Sequence, residues 1–165
     1  MKCYKKLSEK KSSDIQLGSL ISMIHRSYTV YINNSIEDLD INASQIPFLF
    51  HIQKHNNISQ EELSYNFNID KGAVARALRK MEDQNIIKRK IDDDNRRRYK
   101  LSLTEKGEII SKKIIKIIDN WENRIYNKIS YLSKEELHEI LKQIAIESME
   151  CSDNITNKEK EDNNE

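Results

Sequence analysis

Residues 58–107, ISQEELSYNFNIDKGAVARALRKMEDQNIIKRKIDDDNRRRYKLSLTEKG, decide the fold of this 165-residue chain. Ser59 and Glu62 match a capping box, in which each side chain accepts a hydrogen bond from the other residue's backbone amide, so a helix is predicted to begin there. Residues 68–70 are polar and too few for anything but a turn. Asp70 can then cap a second helix, whose apolar stripe consists of Val74, Leu78 and Met81. This pattern predicts a helix-turn-helix.

The opposite face of the second helix combines cationic and small side chains. It carries Lys71, Gly72, Ala75, Arg76 and Arg79. Small residues let a helix backbone approach the bases, and an arginine can donate two hydrogen bonds to O6 and N7 of guanine. We therefore predict that this helix reads the major groove of DNA. Arg76 and Arg79 would point into the groove, and Lys71 toward a phosphate.

A β-hairpin is predicted to follow the two helices. Its second strand alternates polar residues with apolar ones, the period of a half-buried strand, and the apolar ones are Tyr99, Leu101 and Leu103. Ile87 and Ile91 can supply the matching apolar face of the first strand, and residues 92–97 form the tip. The hairpin is interpreted as the wing of a winged helix.

Three residues are predicted to mark the limits of this unit. Asn85 tolerates the left-handed conformation that often ends a helix, Thr104 closes the hairpin and caps the next helix, and Ile58 can pair with the wing as a very short strand. Residues 71–100 contain eleven Lys or Arg and five Asp or Glu, a net charge of +6 in a chain whose net charge is +1. This local excess of positive charge is typical of a surface that contacts phosphates.

Two segments, DKGAVARALRKMEDQNIIKR (residues 70–89) and DDDNRRRYKLSLTEKG (residues 92–107), resemble the MarR (multiple antibiotic resistance regulator) family of winged-helix transcription factors. The resemblance extends over residues 15–149. It implies an obligate homodimer that binds a pseudo-palindromic DNA operator, usually to repress transcription, and that often releases the operator on meeting a small ligand or an oxidant.

The resemblance also assigns the wing. The family usually has an Asp two residues before the arginine that enters the minor groove, and the corresponding positions here are Asn95 and Arg97. Arg97, with Arg96 and Arg98 beside it, is therefore predicted to enter the minor groove without the carboxylate that would orient it.

Long amphipathic helices are predicted on both sides of the winged helix, over residues 14–36, over 104–130 and from 133 onward. Their apolar faces are broader than packing on a small winged helix requires, and too broad and too short for a coiled coil. We predict that they form a dimer interface. Its residues would include Leu20, Ile24, Ile117, Trp121, Ile125 and Ile140.

A further helix is predicted over residues 42–56, beginning at a capping box of Asn42 and Gln45. A cavity beside this helix could bind a small aromatic effector, a phenol or an aromatic carboxylate, with walls formed by Tyr28, Tyr31, Phe48 and His51. The alternative is that these four side chains simply pack the junction. His51 and His55 have the spacing of two metal ligands, but no Cys, Asp or Glu nearby in sequence completes a site. We expect neither a metal nor a cofactor.

The two ends of the chain are polar and are predicted to be disordered. Residues 1–13 form a basic arm and residues 152–165 an acidic tail, which leaves 14–151 as one MarR-like domain with its winged helix at 58–104. Cys3 and Cys151 do not make a disulfide framework. The resemblance allows a peroxide-sensing role for Cys3, but Cys3 precedes the first long helix by about a dozen residues, which favours an inert thiol. No apolar run is long enough to span a bilayer or to act as a signal peptide, so we expect a cytoplasmic protein without a membrane partner.

Two other functional classes were weighed against DNA binding. A winged helix can serve protein–protein association, but such interfaces usually have apolar side chains at their centre, and the outer face here is rich in arginine. An enzyme is disfavoured because the sequence lacks a Ser/His/Asp order with supporting context. With three glycines in the whole chain, a phosphate-binding loop is also hard to build.

Overall fold

The computed structural model describes residues 3–92, 98–129 and 131–162, with residues 3–4 and 153–162 described by their backbone. The chain divides into two compact units, Met1–Ile118 and Asp119–Glu165. Both are helical, and the first also contains a small antiparallel sheet. The predicted fold class, mainly α with a winged helix-turn-helix, is confirmed. None of the helices in the described ranges has the length and apolar content needed to cross a membrane.

The elements follow one another in the order expected for a winged helix between longer helices. In chain order they are α1 (Cys3–Ser8), α2 (Leu17–Ser35), α3 (Ile46–Lys54), β1 (Ile58–Ser59), α4 (Gln60–Phe67), α5 (Lys71–Asp83), β2 (Ile87–Ile91), β3 (Tyr99–Leu103), α6 (Glu105–Tyr126) and α7 (Lys134–Asp162).

The core of the first unit is built from one apolar face of each of its elements. Side chains with no solvent exposure come from α2, α3, α4, α5, β3 and α6, and include Ile32, Leu49, Ile52, Leu63, Val74, Leu78, Met81, Leu101 and Ile114. Burying a side chain of this size stabilises the fold by ~1.5–3 kcal/mol relative to leaving it exposed. The predicted stripe of α5 is thus confirmed as its buried face, which leaves the opposite face of α5 for solvent.

The sheet has the strand order β1-β3-β2, and both pairings are antiparallel. Ile58 lies opposite Leu101, so the short strand predicted at Ile58 is confirmed. At the inner end of the hairpin Ile87 pairs with Leu103, and both are buried. At the outer end Ile91 and Tyr99 pair with each other and are 52% and 49% exposed. The predicted apolar face is therefore buried only at its inner end, because the hairpin extends beyond the core.

The segment LTEKG joins the end of the hairpin to α6 through three residues, Thr104, Lys106 and Gly107. Thr104 Oγ1 donates to the carbonyl of Asn85 (2.6 Å) and accepts from the Gly107 amide (3.1 Å), which confirms the predicted cap. Lys106 Nζ donates to the carbonyl of Gln84 (2.9 Å), at the end of α5. A Cβ added to Gly107 would lie 2.2 Å from the Ile86 carbonyl oxygen, so only glycine permits this approach. These contacts join the end of α5, the hairpin and the start of α6.

The second unit contains the end of α6 and the whole of α7. Ser133 and Glu136 form the predicted capping box at the start of α7, since the Ser133 amide donates to Glu136 Oε2 (2.8 Å) and the Glu136 amide to Ser133 Oγ (3.1 Å). Lys134 Nζ lies 4.9 Å from the centre of the Tyr126 ring and 3.3 Å from Glu122 Oε2. These contacts connect the last turns of α6 to the first turn of α7.

The structure differs from the sequence prediction at both ends. Residues 3–8 form α1, whose Leu7 is half-buried and lines a shallow depression with Ile15 and Met23 of the α2 region. Helix α7 continues to Asp162, into the segment predicted to be disordered, and no glycine or proline follows Lys134 to end it. The helix predicted over 42–56 is shorter, because its Asn42–Gln45 capping box begins a 3-10 turn (Ala43–Gln45) that precedes α3.

Candidate nucleic-acid interface

The helix-turn-helix is held by short-range polar contacts that the sequence predicted. The Ser59 amide donates to Glu62 Oε2 (2.8 Å) and the Glu62 amide to Ser59 Oγ (3.2 Å). Hydrogen bonds to the Glu62 carboxylate from the Ser59 side chain and from the Ser59 backbone amide lower the pKa of Glu62 below its ordinary value. Asn68 ends α4 with a φ of 48°, and the Ala73 amide donates to Asp70 Oδ1 (3.0 Å) at the start of α5. The turn thereby fixes where α5 begins.

The outer face of α5 is cationic and open to solvent. Lys71, Arg76 and Arg79 are exposed, and none of them forms an ion pair with any residue that the structure describes. A Cβ at Gly72 would lie 3.4 Å from Arg76 Nη1 and 3.1 Å from Asp70 Oδ1, so the glycine leaves room for this guanidinium along the first turn. These cations are therefore available to a ligand outside the chain.

The wing contributes further cations beside α5. Arg89 Nε lies 2.8 Å from Glu82 Oε2, an ion pair that connects β2 to the end of α5, and Lys100 Nζ lies 2.8 Å from Asp92 Oδ1. The positive charge of Arg98 is a further, smaller cause of the low pKa of Glu62. The other predicted wing residues, Asn95, Arg96 and Arg97, lie outside the described residues.

Comparison with known proteins agrees with this architecture. A sequence model of the MarR family matches residues 41–99. The crystal structure of MarR superposes with a TM-score of 0.74 at 32% sequence identity, covering 87% of this chain and 98% of that one. The chain belongs to the MarR family.

Two further proteins are similar to this chain. The HTH-type transcriptional regulator BilQ of Clostridioides difficile (strain CD3) is 24% identical over 121 residues, or 73% of this chain and 82% of BilQ. The S. aureus MepR–DNA complex has the same fold, with a TM-score of 0.68 at 22% identity over 86% of this chain and 99% of that chain. MarR-family proteins are transcriptional regulators that bind DNA, and they are not enzymes.

In this MarR-family chain the residues predicted to form a dimer interface are distributed over both units. In the first unit Ile24 is 55% exposed on α2, while Leu20 and Ile117 are half-buried. In the second unit Trp121 and Ile125 are half-buried and Ile140 is 47% exposed on α7. Further exposed apolar side chains lie on the same helices, namely Leu17, Ile21, Leu141, Ile146 and Met149. Each unit therefore presents apolar helical surface to solvent in the single chain.

The residues predicted to line an effector pocket are packed to different degrees. Phe48 is 5% exposed and meets Phe67 of α4 edge to face, with 5.3 Å between ring centres. His51 lies 5.1 Å from the same ring. Tyr28 and Tyr31 of α2 are partly buried against the core. The structure thus brings Phe48 and His51 together around Phe67, which the sequence analysis had not placed there.

His51 also contacts two polar neighbours. Its Nε2 lies 3.1 Å from Asn66 Nδ2, and its ring centre lies 4.6 Å from that of His55. Burial, together with the charges of His55 and Lys54, lowers the pKa of His51 below its ordinary value. Within the described residues no group of three or more His, Cys, Asp or Glu side chains is placed to hold a metal ion.

Sequence reasoning missed one candidate beside α5. Tyr65 on α4 is 86% exposed, the highest exposure among the large hydrophobic residues described. Tyr65 does not belong to the buried stripe of Leu63 and Phe67, and this position in the sequence could have predicted its exposure. An aromatic side chain projecting from the first helix of a helix-turn-helix is suitably placed to contact the DNA backbone, which that helix crosses in this class of motif.

Proposed function

We propose that this MarR-family protein acts as a homodimer that binds a pseudo-palindromic operator and represses transcription from it. The observation that carries the proposal is the two-sided character of α5. Val74, Leu78 and Met81 are fully buried, whereas the arginines on the other side are exposed and unpaired among the described residues.

The exposed side of α5 is chemically suited to reading bases. A guanidinium without an internal partner can donate both hydrogen bonds to a guanine, and small neighbours allow the helix to enter the groove. Arg76 and Arg79 are the proposed base contacts, and Lys71 is a proposed phosphate contact. The wing arginines would add minor-groove contacts, with Arg97 as the inserted cation.

The proposed dimer follows from the exposed apolar faces of the long helices. Exposed apolar side chains that recur along a helix are typical of an interaction site. Two copies joined through α2, α6 and α7 would present their recognition helices about one DNA turn apart, ~34–36 Å. A dimer that covers an operator near a promoter would exclude the polymerase, which is the simplest route to repression in the cytoplasm.

We further propose that a small ligand releases the operator. A ligand changes DNA affinity only if it binds the DNA-competent and incompetent states unequally. The aromatic group around Phe48 and His51 contacts α4, so a phenolic or aromatic-acid ligand bound there could displace the helix-turn-helix. Titration of salicylate into the protein–operator complex, repeated with His51→Ala and Tyr31→Phe, tests this role. Release that is unchanged by both substitutions would exclude these two residues.

The rival function, docking of a protein on α5, finds no support in the exposed residues of that helix. Interface centres are rich in aromatic and apolar side chains. The exposed positions of α5 are Lys71, Arg76, Arg79, Lys80 and Asp83, all of them charged. DNA phosphates and guanines are the better chemical match.

The test begins with selection of bound sequences from random duplex DNA, which defines the operator. Arg76→Ala and Arg79→Ala are then each expected to weaken operator binding by ~1–3 kcal/mol per half-site, roughly 5- to 140-fold, while binding to random duplex changes much less. Lys112→Ala, at an exposed position of α6, is the matched control and should leave the operator affinity unchanged. An equal loss on operator and random duplex would show that these arginines contact only the backbone.

A further inference from the structure

A polar depression of about 390 Å³ lies on the first unit, and none of the residues that line it belongs to α5. Its walls come from the end of α3, the outer face of the wing sheet and the first turns of α6. The polar side chains that line it are Gln53, Asn56, Asn57, Lys88, Lys90, Ser102 and Glu108. Its volume falls within the range of ~300–1,000 Å³ that is usual for small-molecule sites.

The strand register explains why cations collect on this wall. Ile87 and Leu101 face the core, so the alternation of a strand directs Lys88 and Lys90 to the opposite face. Ser102 pairs directly with Lys88 across the two strands. Lys88 is exposed and forms no ion pair with any described residue. One wall of the depression therefore offers an ammonium group beside a hydroxyl.

The opposite wall is held in place by a chain of hydrogen bonds. Ser111 Oγ, which is fully buried, donates to Gln53 Oε1 (2.6 Å). Gln53 Nε2 in turn donates to Glu108 Oε2 (2.8 Å). A carboxylate oriented in this way keeps lone pairs available for a second donor. Asn57, with a φ of 71°, donates its amide to the Leu101 carbonyl (3.0 Å), which fixes the loop that bears both asparagines against β3.

We propose that this depression binds a small hydroxylated anion, either a hydroxycarboxylate or a sugar phosphate. The anionic group would contact Lys88, because charge-assisted hydrogen bonds are the strongest available on that wall. A hydroxyl of the ligand would donate to Glu108, and the asparagine amides would contact the remaining oxygens. This ligand class differs from the aromatic effector considered above, since the lining is polar and charged.

The experiment uses the full chain without DNA, so its outcome is independent of the proposed operator binding. Citrate and ribose 5-phosphate are titrated at one fixed ionic strength by calorimetry and by amide chemical-shift mapping. Ribose, acetate and inorganic phosphate are the partial ligands, since each lacks either the anion or the hydroxyl groups. We expect saturable binding of citrate or ribose 5-phosphate, with shifts at residues 56–57, 88–90 and 108, and at least tenfold weaker binding of ribose and acetate.

Two variants separate the proposed contacts. Lys88→Gln should lower the affinity for the hydroxylated anion about tenfold or more, because a hydrogen bond to a charged group is lost. Glu108→Gln keeps an acceptor for Gln53, so the wall is preserved. It should lower the ratio of the affinity for the hydroxylated anion to that for inorganic phosphate, because a neutral amide oxygen accepts the ligand hydroxyl less strongly than a carboxylate does. Lys112→Gln, at an exposed position of α6 outside the depression, is the control and should bind as the parent protein does.

Two results would overturn the proposal. One is the absence of saturable binding by both citrate and ribose 5-phosphate. The other is binding that Lys88→Gln and Lys112→Gln affect equally, which would mean non-specific attraction to a basic surface. If no anion binds but Lys88→Gln lowers the affinity of the protein for duplex DNA, the lysine is a contact to the DNA backbone and the depression is not a ligand site.

Discussion

Replacement of Gly107 by alanine is expected to destabilise the protein at the junction between the hairpin and α6. The added Cβ would lie 2.2 Å from the Ile86 carbonyl oxygen and 3.3 Å from the Leu103 Cβ. Contact between such atoms normally begins near 3.4 Å, so the two backbones must separate by roughly 1 Å in a closely packed region. The atom in the way belongs to the main chain, so no side-chain rotation can relieve the overlap.

The magnitude follows from opposing terms. Overpacking of this kind costs ~1–3 kcal/mol. Separation of the backbones also weakens the hydrogen bond from the Thr104 amide to the Ile86 carbonyl, now 3.1 Å, which is worth ~0.5–1.5 kcal/mol. Alanine recovers ~1 kcal/mol through its higher helix propensity. The expected net loss in the free energy of unfolding is therefore ~1–3 kcal/mol.

Gly18 provides a matched control near the start of another helix. No atom lies within 4 Å of a Cβ built at Gly18, so Gly18→Ala should gain up to ~1 kcal/mol through reduced backbone entropy of the unfolded chain. Both variants are compared with the parent by urea unfolding at equal protein concentration, because dimer formation would make stability concentration-dependent. If Gly107→Ala proved as stable as Gly18→Ala, the close approach at Ile86 would not constrain the fold.

Three further predictions concern the wing, the assembly and the pH dependence of stability. Arg97→Ala should lower affinity most for operators with AT-rich flanks, because a narrow minor groove attracts an inserted cation, and an equal deficit on GC-rich flanks would contradict this role. Trp121→Asp should abolish dimer and operator binding together by placing an unpaired charge in the interface, whereas Asn123→Asp, at an exposed position of the same helix, should not. Sedimentation and operator titration measure both properties, and a folded Trp121→Asp monomer that still binds the full operator tightly would contradict the proposed interface. Folding lowers the pKa of His51, so the unfolded chain binds more protons at this residue than the folded chain does. The contribution of His51 to the free energy of unfolding is therefore fully present above about pH 6.5 and is lost as the pH falls below that value. His51→Gln should reduce the loss of unfolding free energy below about pH 6.5, measured by urea unfolding at a series of pH values. If the loss is the same in the variant, His51 does not cause it.

The helix-turn-helix was predictable because its determinants are close together in sequence. The capping box at Ser59 and the cap at Asp70 each act over three residues, and the stripe of α5 repeats over seven. Asn85 has a φ of 57°, as predicted for a residue that ends a helix. The exposure of Arg76 and Arg79 follows from the same periodicity. Their contact with DNA stays a prediction.

Other features depend on contacts between distant residues and could not be predicted from local pattern. Gly107 is required because α6 passes close to the carbonyl of Ile86, and Lys106 contacts the end of α5 across 22 residues. Strand alternation predicted the inward direction of Ile91 but not that the core ends before it. The low apolar content of residues 152–165 predicted disorder, whereas α7 continues to Asp162. A helix can continue through a polar segment when no residue ends it.

The strand β1 has a consequence for how this chain can vary in length. Its second residue, Ser59, pairs with Lys100 and also caps α4, so the start of the helix-turn-helix is tied to the register of β3. A one-residue deletion inside β3 would invert its two faces and shift this cap together with the pairing. Residues 93–97 come after the last pair of the ladder, Ile91 with Tyr99, so insertions there leave the register intact. The length of the wing can thus change without altering the position of α5.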